Sequence, residues 1–99
     1  MPKILVFIDN PIEVLIEKGK TCIGRGIIND VVIDNESMSS RHAEIISETM
    51  PDGKNITRLI DLNSTNGTYV NGSKTKEAIL NDGDQFRLGA VKCVFYYEQ

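Results

Sequence analysis

The chain has 99 residues, of which 40% are hydrophobic and 25% are charged, and its formal net charge is −3. This length allows one hydrophobic core, so we expect a single domain over residues 1–99, and the composition excludes a disordered chain. The acidic balance, without any run of lysines, argues against a nucleic-acid partner, because a duplex-binding domain usually carries a basic face.

Short apolar runs follow one another at intervals of about ten residues and are separated by Gly, Asn, Asp or Pro, which is typical of β-strands joined by turns. In chain order the runs are KILVFI (3–8), IEVLI (12–16), TCIG (21–24), VVI (31–33), HAEIISE (42–48), TRLIDL (57–62), TYV (68–70), AIL (78–80), QFRL (85–88) and VKCVFYY (91–97). The Asp52-Gly53 and Asn71-Gly72 steps suit hairpin turns. We therefore predict an all-β protein, an antiparallel β-sandwich, with a small barrel as the alternative.

The first apolar run, residues 4–8, is too short to span a membrane and is not followed by a signal-peptide cleavage pattern. A cytoplasmic location without membrane contact is the expectation. Cys22 and Cys93 lie far apart, and with His42 as the single histidine they cannot supply four zinc ligands. We expect two buried free thiols, and neither a metal nor a cofactor.

Three polar stretches interrupt the strand pattern, and function tends to reside in such loops. They are GRGIIND (24–30), NESMSSRH (35–42) and NSTNG (63–67).

The stretch MSSRHAEI (38–45) contains Ser39 and His42, which could form a nucleophile and its base. The two residues are three apart at the junction of a loop and a strand, where side chains of unlike parity point to opposite faces. No Gly-x-Ser-x-Gly elbow accompanies them. A structural histidine bonded to nearby backbone is therefore the interpretation we favour over a general base.

The polar loops also supply a set of hydrogen-bond donors suited to a phosphate. Gly24 and Gly26 flank one of these donors and would let the backbone turn tightly around it. The alternative is that Arg25 and Arg41 are solvated surface charges and Ser39 forms a local turn, and composition alone leaves both interpretations open. The donors are Arg25, Ser39, Ser40, Arg41, Thr65 and Asn66.

The segments GRGIINDVVID, MSSRHAEI, LIDLNSTNGTYVNG and LNDGDQFRLG occur in the order and spacing of the forkhead-associated (FHA) domain, which the chain resembles from about Thr21 to Phe95. The first two strands fit the N-terminal hairpin of that family. The resemblance implies an eleven-stranded, FHA/SMAD-like β-sandwich with binding loops at one end. It also implies recognition of phosphothreonine in extended segments of partner proteins, and no enzymatic activity.

Matched by position, the resemblance gives roles to individual residues of this chain. Arg25 would grip the phosphate, and the Ser39 hydroxyl would bond to it. Thr65 would line the phosphothreonine pocket, and Asn66 would bond to the peptide main chain. The positions that match structural supports of the site are Gly24, His42 and Gly67.

The chain departs from the commonest family pattern directly after Ser39, where many relatives carry a long basic or amide side chain and this chain has Ser40. Arg41 would compensate if its side chain turned toward the site. The preceding loop, DNESM (34–38), would read the residue three places after the phosphothreonine. Because that loop contains Asp34 and Glu36, we expect a mild preference for basic or polar peptide residues there.

The sequence therefore predicts a phosphothreonine-dependent interaction module. We expect it to be a monomer that binds a phosphothreonine-containing protein or peptide downstream of a Ser/Thr protein kinase. One alternative is a β-sandwich scaffold that binds unphosphorylated partners through a sheet face. Another is a small hydrolase that uses Ser39.

Overall fold

The computed structural model describes residues 1–97, which form eleven β-strands and no helix. Accordingly, the described part of the chain contains no helix long and apolar enough to cross a membrane. The predicted all-β sandwich of about eleven strands is confirmed. The strands are β1 (Pro2–Phe7), β2 (Ile12–Leu15), β3 (Gly19–Gly24), β4 (Val31–Val32), β5 (Ala43–Thr49), β6 (Asn55–Asp61), β7 (Thr68–Val70), β8 (Ser73–Lys74), β9 (Glu77–Leu80), β10 (Gln85–Leu88) and β11 (Val91–Tyr97).

The strands form two sheets that pack face to face. The six-stranded sheet has the order β2-β1-β11-β10-β7-β8, and the five-stranded sheet has the order β4-β3-β5-β6-β9. One pairing departs from the predicted antiparallel arrangement, because β3 and β4 run parallel, with Ile23 opposite Val31. The loop between them doubles back, and the Asp30 carboxylate accepts a hydrogen bond from the Cys22 N–H at 2.7 Å.

Alternate residues of each strand point into one hydrophobic core. In β5 the inward residues Ala43 and Ile45 are fully buried, and Leu59 of β6 lies opposite Ile45. Fully burying a side chain of the size of Ile, Leu or Phe contributes about 1.5–3 kcal/mol. Because a shift of one residue would turn this apolar set toward water, the alternation fixes the register of each strand.

The strand β8 is the one element that the sequence pattern did not indicate. Its two residues, Ser73–Lys74, are polar and exposed, so they carry no apolar signal. They pair with β7 because Asn71 and Gly72 adopt φ values of 48° and 89°, as a two-residue type I′ hairpin requires.

Both cysteines are free thiols. Cys93 faces the core, where burial raises the pKa of its thiol to about 12, so it is unreactive near neutral pH. Cys22 points to the outer face of the five-stranded sheet and is only half-buried, so the prediction of a buried thiol is confirmed for Cys93 alone.

Candidate functional site

Four loops meet at one end of the sandwich, between β3 and β4, β4 and β5, β6 and β7, and β10 and β11. Backbone bonds join the first two loops, because the Arg25 N–H donates to the Ser39 carbonyl at 3.0 Å and the Gly26 N–H to the Ser40 carbonyl at 2.9 Å. The last two loops are joined by a bond from the Gly89 N–H to the Gly67 carbonyl at 2.9 Å. Residues distant in sequence are thereby held in one surface.

His42 lies beneath this surface and is 0% exposed. Its Nδ1 accepts a hydrogen bond from the Ser39 backbone N–H at 3.1 Å, so the neutral ring carries its proton on Nε2. That Nε2–H donates to the Gly67 carbonyl at 2.9 Å. One imidazole thus ties the β4–β5 loop to the β6–β7 loop, and neither ring nitrogen faces the Ser39 hydroxyl.

Asp61, at the end of β6, organises the turn that carries Thr65 and Asn66. Its carboxylate accepts hydrogen bonds from the Ser64 hydroxyl, the Ser64 N–H and, at 2.7 Å, the Thr68 hydroxyl. Burial raises the pKa of this carboxyl, but the Ser64 and Thr68 hydrogen bonds outweigh burial and hold the pKa below its usual value.

The polar side chains of Ser39 and Asn66 are oriented by bonds between loops. The Ser39 Oγ accepts a hydrogen bond from the Thr65 N–H at 3.0 Å, which leaves its own proton free to be donated outward. The Asn66 amide donates to the Ser37 carbonyl at 2.9 Å. Thr65 and Asn66 are both exposed, so their outward atoms are accessible to a ligand.

Arg25 is exposed, and its guanidinium forms no hydrogen bond or ion pair with any residue of the range 1–97. Its backbone is nevertheless fixed. A Cβ on the preceding Gly24 would lie 2.3 Å from the Ser40 carbonyl oxygen, so only glycine allows the two loops to approach this closely. The result is a fixed main chain that presents a free cation.

Ser40 and Arg41 differ in the contacts that hold them in this surface. The Ser40 carbonyl accepts bonds from the first loop, and its Oγ lies about 3.0 Å from where a Cβ on Gly26 would be. The Arg41 side chain is exposed, and no contact within the described residues holds it toward Arg25. The structure therefore brings together all the predicted site residues except Arg41.

Two supporting residues lay inside the quoted motifs without an assigned role. Asn29 is 8% exposed, and its amide donates to the carbonyls of Gly26 and Ser40, at 2.7 Å each. The Ser37 Oγ donates to the Asn35 side chain and accepts from the Ala90 N–H at 2.9 Å. The available signal was an asparagine or a serine within a polar loop, and it does not identify partners that are distant in sequence.

The rim of the surface carries both apolar and acidic side chains. Ile27 and Ile28, two and three residues beyond Arg25, are 91% and 77% exposed. Asp34 and Glu36, in the loop expected to read a neighbouring peptide residue, are also exposed. The surface as a whole is rich in donors, and the Asp61 carboxylate already accepts three hydrogen bonds, so the chemistry of the surface suits binding an anion.

Comparison with known proteins agrees with this geometry. The family model described as FHA domain matches residues 21–89. The glycogen accumulation regulator GarA of Mycobacterium tuberculosis is 35% identical over 81 residues, which are 82% of this chain and 47% of that protein. The chain therefore spans about half the length of this relative.

Solved structures share the same fold over nearly the whole chain. The FhaA FHA domain, crystallised with the intracellular domain of Rv3910, superposes with a TM-score of 0.86 and 30% identity, covering 96% of this chain and 99% of that one. The yeast Dun1 FHA domain, bound to a doubly phosphorylated (pT) peptide from Rad53, gives a TM-score of 0.79 and 29% identity, covering 97% and 73%.

Proposed function

The chain belongs to the FHA domain family, and from that premise we propose that it binds a phosphothreonine-containing segment of a partner protein through the loops at one end of the sandwich. The observation that carries the proposal is that Arg25, whose exposed guanidinium has no partner among residues 1–97, is bonded through its N–H to the carbonyl of Ser39, the residue whose hydroxyl keeps a free proton. A guanidinium fork and a hydroxyl donor side by side suit a phosphate dianion.

In the proposed complex each polar side chain has a separate task. Arg25 pairs with two phosphate oxygens, and Ser39 donates its free hydroxyl proton to the third. Thr65 lines the pocket that receives the threonine methyl group. Asn66 exchanges its bond to the Ser37 carbonyl for bonds to the peptide main chain, since an amide can both donate and accept. Ser40 adds a short donor at the rim.

Phosphorylation would act as the switch for binding. An unmodified threonine offers Arg25 no charge, whereas a phosphate adds about −1.5 to −2 charge units and three strong acceptor oxygens. Each charge-assisted hydrogen bond contributes about 1.5–3 kcal/mol. Burying the extra methyl of phosphothreonine would favour it over phosphoserine by about 0.8 kcal/mol.

We propose a binding module rather than an enzyme. Both nitrogens of His42 are bonded to backbone and its ring is 0% exposed, so it is poorly placed to activate Ser39. On this proposal, residues 1–99 act as one monomeric domain in the cytoplasm. A Ser/Thr protein kinase phosphorylates the threonine that the domain binds.

The decisive test compares Arg25→Ala with the wild type by calorimetry, using a pool of phosphothreonine peptides and the same pool after phosphatase treatment. We expect binding by the wild type to require the phosphate, and Arg25→Ala to lose at least about tenfold in affinity, which corresponds to about 1.4 kcal/mol. Lys20→Ala, which removes an exposed cation near the start of β3 and thus at the opposite end of that strand from Arg25, is the matched control and should bind normally. Equal binding by the wild type and Arg25→Ala would refute the assignment.

A further inference from the structure

A row of paired side chains crosses five strands on the outer face of the six-stranded sheet. Tyr69 lies opposite Lys74 on one side and Arg87 on the other, and Lys92 lies opposite both Arg87 and Phe7. Residues opposite one another in antiparallel strands share a face. Because the adjacent residues of these strands face the core, the row faces solvent. We call these five residues the basic–aromatic row.

One end of the row adjoins the candidate phosphopeptide site. A Cβ on Gly67 would lie 3.1 Å from the Lys74 Cε and 3.2 Å from a ring carbon of Tyr69, so both side chains pack over the residue that follows Asn66. Arg87 donates to the Gly89 carbonyl at 2.7 Å, in the loop that bonds to Gly67. The row is therefore a continuation of the site along the sheet.

Within residues 1–97, no carboxylate forms an ion pair with the cations of the row. The Arg87 guanidinium lies 4.0 Å from the centre of the Tyr69 ring, and it stands directly opposite Lys92, an arrangement of like charges that destabilises a sheet. A depression of about 460 Å³ lined by Phe7, Tyr69, Arg87 and Lys92, among others, has no carboxylate in its wall.

The other sheet of the same molecule shows the opposite arrangement. There Arg58 is paired with Glu48 at 3.1 Å and with Glu77 at 3.6 Å. In a chain with a net charge of −3, acidic residues are available as partners. Leaving the two opposed cations Arg87 and Lys92 without a carboxylate partner in the described part of the chain costs folding stability, and an anionic ligand would offset that cost.

We propose that the basic–aromatic row is a second contact surface for the same partner, which takes acidic side chains that flank the phosphothreonine. This inference rests on the proposed function. Four strand spacings of about 4.8 Å make the row about 19 Å long, which an extended chain covers in about six residues. The carboxylates would therefore lie within roughly ten residues of the phosphothreonine. A row one residue wide fits an extended chain and not the broad surface of a membrane.

The test uses three labelled peptides, each with one phosphothreonine in an alanine–glutamine–serine background. One has uncharged flanks, and the others carry three glutamates, placed either before or after the phosphothreonine at the distance that the row spans. Fluorescence anisotropy should show about three- to tenfold tighter binding of one acidic peptide at low salt, as two or three exposed ion pairs would give. The gain should shrink in high salt.

Two variants with the same change in charge separate the row from the overall charge of the protein. Lys92→Glu should abolish the gain and bind the uncharged peptide as the wild type does. Lys20→Glu, an exposed residue on the opposite sheet, should retain the gain. Melting temperatures would verify that both variants fold.

The outcomes distinguish this inference from the proposed function. If the uncharged phosphopeptide binds but neither acidic peptide binds more tightly, the second surface does not exist and the proposed function stands. Equal loss of the gain in Lys92→Glu and Lys20→Glu would likewise overturn the inference, since it would reflect net charge. If binding of the uncharged peptide does not depend on its phosphate, the proposed function fails and this inference fails with it.

Discussion

His42 bonds through its two ring nitrogens to the backbone of two loops, so the shape of the binding end depends on it. Replacing it with alanine would leave the Ser39 N–H without a partner beneath the surface and would remove one of the two hydrogen bonds that the Gly67 carbonyl accepts, the other coming from the Gly89 N–H. It would also leave a void where the ring is now 0% exposed. We predict that His42→Ala lowers the free energy of unfolding by about 2–4 kcal/mol, measured by urea or thermal unfolding.

The neighbouring Arg41 provides the control, because its exposed side chain has no partner in the described part of the chain. Arg41→Ala should change the free energy of unfolding by less than about 0.5 kcal/mol. An unchanged melting temperature in His42→Ala together with loss of phosphopeptide binding would instead place the imidazole in contact with the ligand.

The β6–β7 loop depends on one ionised carboxylate, since Asp61 accepts the bonds from Ser64 and Thr68 that shape the turn. Because these bonds hold the pKa of Asp61 below its usual value of about 3.9, the ionised form favours the folded state. The resulting stability is present above about pH 4 and is lost as the pH falls through the folded-state pKa.

We predict that Asp61→Asn is less stable than the wild type at pH 7 and that the difference narrows as the pH is lowered below about 4. Urea unfolding of both proteins across this range measures it. A difference that stays constant with pH would mean that the shape of the side chain, and not its charge, holds the loop. Asp9→Asn, at an exposed carboxylate without a hydrogen bond or ion pair in the described residues, is a suitable control.

The strands could be predicted from the sequence because apolar and polar residues alternate along a strand that is buried on one face. Ala43 and Ile45 point inward while Glu44 between them does not, and a Gly or Asn turn then ends each run. The pattern failed where a strand has no apolar residue, as in Ser73–Lys74. It also could not show that β4 pairs in parallel, because that depends on how the preceding loop folds back.

The sequence predicted which loop residues could donate hydrogen bonds to a ligand, but it did not predict which residues hold the loops in place. Arg25 and Ser39 belong to residue types that bind phosphate, so they could be selected by chemistry alone. Asn29 and Asp61 act through bonds to loops whose position is fixed only by tertiary packing. Their roles therefore depend on contacts that the local sequence does not encode.

The loops and the two sheets form one mechanical unit, because His42 is buried against the core while it holds the binding loops from below. A ligand that contacts Arg25 and Ser39 should therefore stabilise the fold as a whole and not the loops alone. By linkage, a ligand at about 100 times its Kd adds about 2.7 kcal/mol to the free energy of unfolding.

We predict that a phosphothreonine peptide at that concentration raises the Tm by about 10–20 °C, the shift expected for a domain of about 100 residues. Scanning fluorimetry would measure it. The unphosphorylated peptide should give no shift, and Arg25→Ala should keep its own Tm while losing the shift. If calorimetry detected binding but the Tm did not rise, the loops would have to open independently of the core. In that case the bonds made by His42 would not couple the site to the sandwich.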